Sequence, residues 1–140
     1  MTTARDLMRP GAQWISKEQT VTNAARIMAA RGLDALVVAD ENDRMCGIIT
    51  YRDIVLRCLA ANLPPDRTTV GMLCHSGTPR WVDSKADAAE VVETMNTNRV
   101  DHLPVVEDRQ LIGTIGERDL LPYLDDQQLG AFARAHVSVN

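Results

Sequence analysis

The chain has 140 residues, 45% of them hydrophobic and 24% charged, an ordinary balance for a globular domain and enough chain to bury one core. Its net charge of −4 and aromatic content of 4% offer no basic face for phosphate contacts, which argues against a nucleic-acid partner. No apolar run approaches the ~20 residues of a membrane span, and the opening Met1-Thr2-Thr3-Ala4-Arg5-Asp6 lacks the apolar core of a signal peptide, so no membrane partner and a cytoplasmic location are expected.

In chain order, Leu7-Met8-Arg9-Pro10-Gly11 reads as the end of a short leading helix closed by a turn at glycine. A brief strand is expected around Trp14 and Ile15. Val21, Ala24, Ala25 and Met28 then recur at the i, i+3, i+4, i+7 spacing of an amphipathic helix. The apolar run Ala35–Ala39 suits a strand buried on both faces. Turn residues at 40–43 lead to a second strand over 45–49, and a second helix begins at Tyr51. The double proline at Pro64 and Pro65 ends this part of the chain and marks residues 62–67 as a linker.

The same order then repeats. Leu73-Cys74-His75-Ser76-Gly77 matches the first leading segment, a strand follows at Trp81 and Val82, and Ala88, Val91, Val92 and Met95 form a second helical stripe. Strands are expected over 103–106 and 111–115, joined by a weaker turn at 107–109, and a helix starts at Glu117. Pro122 breaks or kinks that helix, and residues 127–136 form one more short helix.

The correspondence is residue by residue. An offset of 67 carries Trp14 onto Trp81, Met28 onto Met95, Asp34 onto Asp101, Leu36 onto Leu103 and Val38 onto Val105. After a one-residue deletion, an offset of 66 carries Gly47 onto Gly113, Ile49 onto Ile115, Arg52 onto Arg118 and Asp53 onto Asp119. The expected fold is therefore α/β (α+β), two βαββα units about a pseudo-twofold axis. The first unit covers residues 1–61 and the second 68–124, with a C-terminal helix and tail over 125–140. A single module is expected, because two separate domains of this size would be marginal.

Cys46, Cys58 and Cys74 form no C-x-x-C pair and give no disulfide framework. Cys46 in a strand and Cys58 in a helix are expected to be buried as small apolar residues. Cys74 and His75 offer two adjacent metal donors, but no second pair completes a tetrahedral set, so no metal site is expected.

The segment Gly47-Ile48-Ile49-Thr50-Tyr51-Arg52-Asp53 resembles the Gly-h-h-Thr/Ser-x-x-Asp signature (h apolar) that closes a cystathionine-β-synthase (CBS) motif. The segment Asp6-Leu7-Met8-Arg9-Pro10 and the strand-loop-strand before Gly47 fit the same pattern, and the resemblance covers residues 1–60 and 68–124. It implies a disc-shaped CBS pair, often a homodimer, that does no chemistry. It also implies a cleft between motifs taking AMP, ADP, ATP or S-adenosylmethionine. On these residues, Asp53 would accept hydrogen bonds from ribose hydroxyls. Thr50 would meet a phosphate at a helix N-terminus, and Arg52 or Arg118 would add charge. A second reading stands beside this one: Thr50 as N-cap and Asp53 as first-turn acid, which needs no ligand.

The second copy departs from the signature. Gly113-Thr114-Ile115-Gly116-Glu117-Arg118-Asp119 has Gly116 in place of the hydroxyl residue, which weakens Asp119 as a site residue. Conversely, the second copy carries Pro104, the proline that the family often places beside the nucleotide, where the first has Val37. At most one well-formed site is expected. His102 is read as a strand-end hydrogen-bond partner, Trp14 and Trp81 as packing on sheet edges, and Arg44 and Arg99 as surface charges.

Three functions follow in order. The first is a homodimeric sensor of an adenosyl ligand. The second is a ligand-free interaction protein, linked by family analogy to hypoxic or other stress, that docks on a protein partner. The third is an enzyme, which the sequence does not support: it has no H-E-x-x-H, no G-x-x-x-x-G-K-[ST] loop and no hydrolase context around its three histidines.

Overall fold

The computed structural model describes residues 2–11, 13–74 and 80–137. His75, Ser76 and Gly77, three of the five residues of the second leading segment, lie outside the described residues, as does the His136 side chain. The architecture is mixed α+β and divides into two compact units, Gln13–Pro79 and Met1–Ala12 with Arg80–Asn140.

In the Gln13–Pro79 unit, β2 (Trp14–Ser16) runs parallel to β3 (Ala35–Ala39), which pairs antiparallel with β4 (Met45–Thr50). β3 is buried along its whole length, as its unbroken apolar run requires. Helix α2 (Val21–Arg31) starts where the Thr20 side chain accepts the Asn23 N–H at 3.1 Å, and stops at Gly32 in the left-handed conformation. Its stripe of Val21, Ala24 and Met28 meets Leu36, Val38 and Ile49 from the sheet.

Beyond β4 the chain makes one α turn, α3 (Tyr51–Asp53), and then widens into a π-helical segment over Ile54–Leu59, with the Ala60 N–H bonded to the Val55 carbonyl. The sequence predicts a plain helix here. A shift from i−4 to i−5 hydrogen bonding leaves the apolar spacing almost unchanged, so the pattern does not reveal it. The short helix α4 (Val70–Leu73) completes this core with Val70 and Leu73.

The other unit has a four-stranded sheet in the order β1 (Arg9–Pro10), β7 (Gln110–Gly116), β6 (His102–Glu107), β5 (Val82–Asp83). Helix α5 (Ala88–Asn98) is capped by Asp87 and ends at Arg99, which takes the left-handed conformation without glycine. The leading helix α1 (Ala4–Leu7) is tied here by Ala4 N–H to the Ala86 carbonyl at 2.7 Å and Arg5 N–H to the Ser84 carbonyl at 3.0 Å. Ala4 and Leu7 join Met95, Leu103 and Ile115 in the core. Gly11 turns the chain after β1 rather than after the helix. Gly113 is required where β1 crosses β7, since a Cβ there would lie 2.5 Å from the Arg9 carbonyl oxygen.

The compact units thus exchange leading segments relative to the sequence copies. Residues 4–10 complete the core of the second copy, and Val70–Leu73 completes the core of the first. Helix α6 (Glu117–Leu120) passes into a 3₁₀ turn at Leu121–Tyr123 containing Pro122, and α7 (Asp126–Val137) follows, with Phe132 buried against the core.

Candidate functional site

Thr50 ends β4 and caps α3, so its position follows from the sheet edge and the helix start together. Its hydroxyl accepts the Asp53 N–H at 3.2 Å, and Asp53 Oδ2 accepts the Thr50 N–H at 2.9 Å and the Thr50 hydroxyl at 3.1 Å. This is a reciprocal capping box: each side chain satisfies an orphan backbone donor of the other. Thr50 is buried, Asp53 half-buried and Arg52 exposed. The three therefore gather at one strand-to-helix junction, where the N–H groups of Thr50, Tyr51 and Asp53 are donated to Asp53, the Asp34 carbonyl and Thr50.

The second copy keeps half of the box. Asp119 Oδ2 accepts the Gly116 N–H at 2.8 Å, but Gly116 has no hydroxyl to return. Asp119 Oδ1 faces Arg9 Nε at 3.4 Å, an ion pair supplied by the exchanged leading segment. Pro104 lies buried in β6, opposite Thr114 and just before β6 pairs with β5. Gly116 is explained by its neighbour. A Cβ there would lie 2.9 Å from His102 Nε2, and His102 is buried with Nδ1 3.0 Å from Asp101 Oδ1. His102 aligns with Ala35 and Gly116 with Thr50, so the bulky member of the pair has changed strands.

Trp14 and Trp81 both remain about half exposed, and Arg44 and Arg99 are exposed. Cys58 is buried, whereas Cys46 is only half-buried. Cys46 and Cys74 come together although their spacing gives no hint of it. Burial foremost pushes the Cys74 thiol up to about 12, with further upward contributions from Cys46 and from the Asp53 carboxylate. Burial also raises Cys46. Among the described residues, no group of three or more His, Cys, Asp or Glu side chains is placed to hold a metal ion.

The repeated strand-to-helix junction now has its counterpart among known families. The CBS domain profile matches residues 4–59 and again 76–126. The chain belongs to the CBS domain family. Among its CBS relatives, Hypoxic response protein 1 of Mycobacterium tuberculosis is 34% identical over 135 residues, covering 96% of this chain and 94% of the relative. A crystal structure of Hypoxic Response Protein I with two coordinated zinc ions is 36% identical, covers 89% of this chain and 100% of the other, and superposes with a TM-score of 0.70. A conserved CBS domain protein of unknown function from Thermoplasma acidophilum is 25% identical, covers 98% of this chain and 77% of the other, and gives a TM-score of 0.85. Zinc held by side chains in a structural site takes four donors, and the described residues of this CBS protein do not assemble such a set.

Proposed function

We propose that this CBS pair is a non-enzymatic regulatory module of the cytoplasm, acting as a homodimer. It takes an adenine nucleotide (AMP, ADP or ATP) or S-adenosylmethionine at the junction carrying Thr50, Arg52 and Asp53. The observation that supports this most is the asymmetry of the copies. Only the first has both a hydroxyl and a carboxylate at the helix start. The capping bonds hold the Asp53 carboxylate in one orientation, as recognition of a ribose diol requires. The exposed apolar side chains of Val55, Leu56 and Leu59 on the π-helical segment supply surface for the homodimer.

The test is a thermal-shift titration of the wild type and Asp53→Ala with AMP, ADP, ATP and S-adenosylmethionine. A ligand at ~100 Kd stabilises by about 2.7 kcal/mol, and that rise should vanish in the variant even though the variant starts from a lower midpoint. No rise with any of the four in the wild type would overturn the reading.

One observation favours a second reading. The box pairs Thr50 and Asp53 with each other's backbone at the start of α3, so both residues have a sufficient structural role. The chain would then be an interaction protein docking on a protein partner, in a stress setting of the kind named for the mycobacterial relative. It predicts no nucleotide response and a specific partner in a pull-down.

A further inference from the structure

Cys46 and Cys74 are far apart in the sequence, and the Gln13–Pro79 unit makes them neighbours. Cys46 is the extra residue of a β-bulge: Gly47 pairs with Val38 and Met45 with Ala39, so Cys46 stands opposite no residue of β3. Cys74 closes α4, donating its N–H to the Val70 carbonyl at 3.0 Å. That helix is fixed by the Gly71 N–H on the Lys17 carbonyl at 2.9 Å and by the Arg57 guanidinium on the Leu73 carbonyl. Both cysteines pack on one core, both are half-buried, and their thiols lie near enough for each to perturb the titration of the other.

We propose that Cys46 and Cys74 are a modification site, closing into a reversible disulfide when the protein meets a peroxide. The inference goes beyond the nucleotide reading and stands whether or not a nucleotide binds.

The two sulfurs have different roles. Burial pushes the Cys74 thiol up to about 12 and raises Cys46 less, so Cys46 is the nucleophile. Its thiolate attacks one oxygen of hydrogen peroxide. The O–O bond breaks, hydroxide leaves and takes up the released proton as water, and Cys46 becomes a sulfenic acid. Cys74 then attacks that sulfur: the S–S bond forms, the S–O bond breaks, and the hydroxyl departs with the Cys74 proton as a second water. Two thiols lose two electrons and one peroxide gains them. Because burial holds both thiols above their usual range, the reaction is slow at neutral pH and quickens as pH rises.

The experiment treats the reduced full chain with hydrogen peroxide and reads intact mass, free thiols and a non-reducing peptide map. The expected product is lighter by two hydrogens, has lost two of its three thiols, and carries a crosslinked peptide pair containing Cys46 and Cys74; dithiothreitol reverses all three changes. In Cys74→Ser, Cys46 should accumulate as a sulfenic acid that dimedone traps. A crosslink through Cys58, a crosslink between chains, oxygen added at Cys46 while Cys74 remains a thiol, or an unchanged thiol count would each overturn the proposal. These are read on the wild type, so they hold even if the variant folds poorly.

Discussion

The His102 imidazole occupies the volume that a side chain on Gly116 would need. The two are register partners across β6 and β7, and a Cβ on Gly116 would stand 2.9 Å from His102 Nε2. In the first copy the matching partners are Ala35 and Thr50, across β3 and β4. There the small residue faces the large one with the order reversed. What reads in sequence as a lost hydroxyl is, in the fold, one half of a compensated exchange.

That exchange makes Gly116→Thr an overpacking change, expected to cost about 1–3 kcal/mol. Adding His102→Ala recreates the pair of the first copy and opens room for the new hydroxyl to accept the Asp119 N–H. The double variant should therefore recover most of the loss, giving a coupling of about 1 kcal/mol or more in a urea double-mutant cycle. Strictly additive losses would count against the shared volume.

Thr50 and Asp53 hold the start of α3 from both sides. Replacing either with alanine should lower stability by about 1 kcal/mol, the usual value of a helix cap. Thr50→Ser keeps the acceptor and should be close to neutral. Because the Thr50 hydroxyl also donates to Asp53 Oδ2, the double alanine variant should cost less than the two single losses combined. Chemical denaturation midpoints decide this, and a neutral Asp53→Ala would remove the cap from the account.

Much of this was legible in the sequence because it depends on local chemistry. The stripe Val21, Ala24, Met28 fixes α2 and its buried face, and the run Ala35–Ala39 fixes a central strand. The repeat itself placed Thr50 at a helix start. The rest depends on which surfaces meet. Helices α1 and α4 have four residues each, and their apolar side chains fit the core of either copy equally well on pattern alone. The contact between Cys46 and Cys74 requires a β-bulge at one cysteine and a helix end at the other, and neither leaves a spacing motif. Gly116 could be understood only once strand register had set it opposite His102.

The exchange of leading segments has a direct consequence for where damage appears. Leu7 and Leu73 are both buried, and truncating either to alanine should cost about 2–5 kcal/mol. The affected regions should be crossed relative to sequence. Leu7→Ala should reduce hydrogen-exchange protection in β6, β7 and α5, whereas Leu73→Ala should reduce it in β3, β4 and α2. Loss of protection confined to each leucine's own sequence copy would contradict the exchanged cores.

Cys74 gives the protein a stability term that belongs to alkaline pH. Its thiol is pushed from an ordinary 9.0 to about 12, first by burial and then by Cys46 and the Asp53 carboxylate. Between those values the unfolded chain has released a proton that the folded chain still holds, so unfolding becomes easier as pH rises. The contribution is complete below pH 9 and is lost towards pH 12. Cys46, also raised by burial, acts with the same sign. Lys17 has its own raised pKa through Glu41 and adds a loss above its ordinary 10.5 that Cys74→Ser leaves in place. Cys74→Ser does not ionise in this window, so under reducing conditions its urea midpoint should fall less steeply above pH 9 than that of the wild type. Parallel profiles would show that the buried thiol is not what the alkaline limb reports.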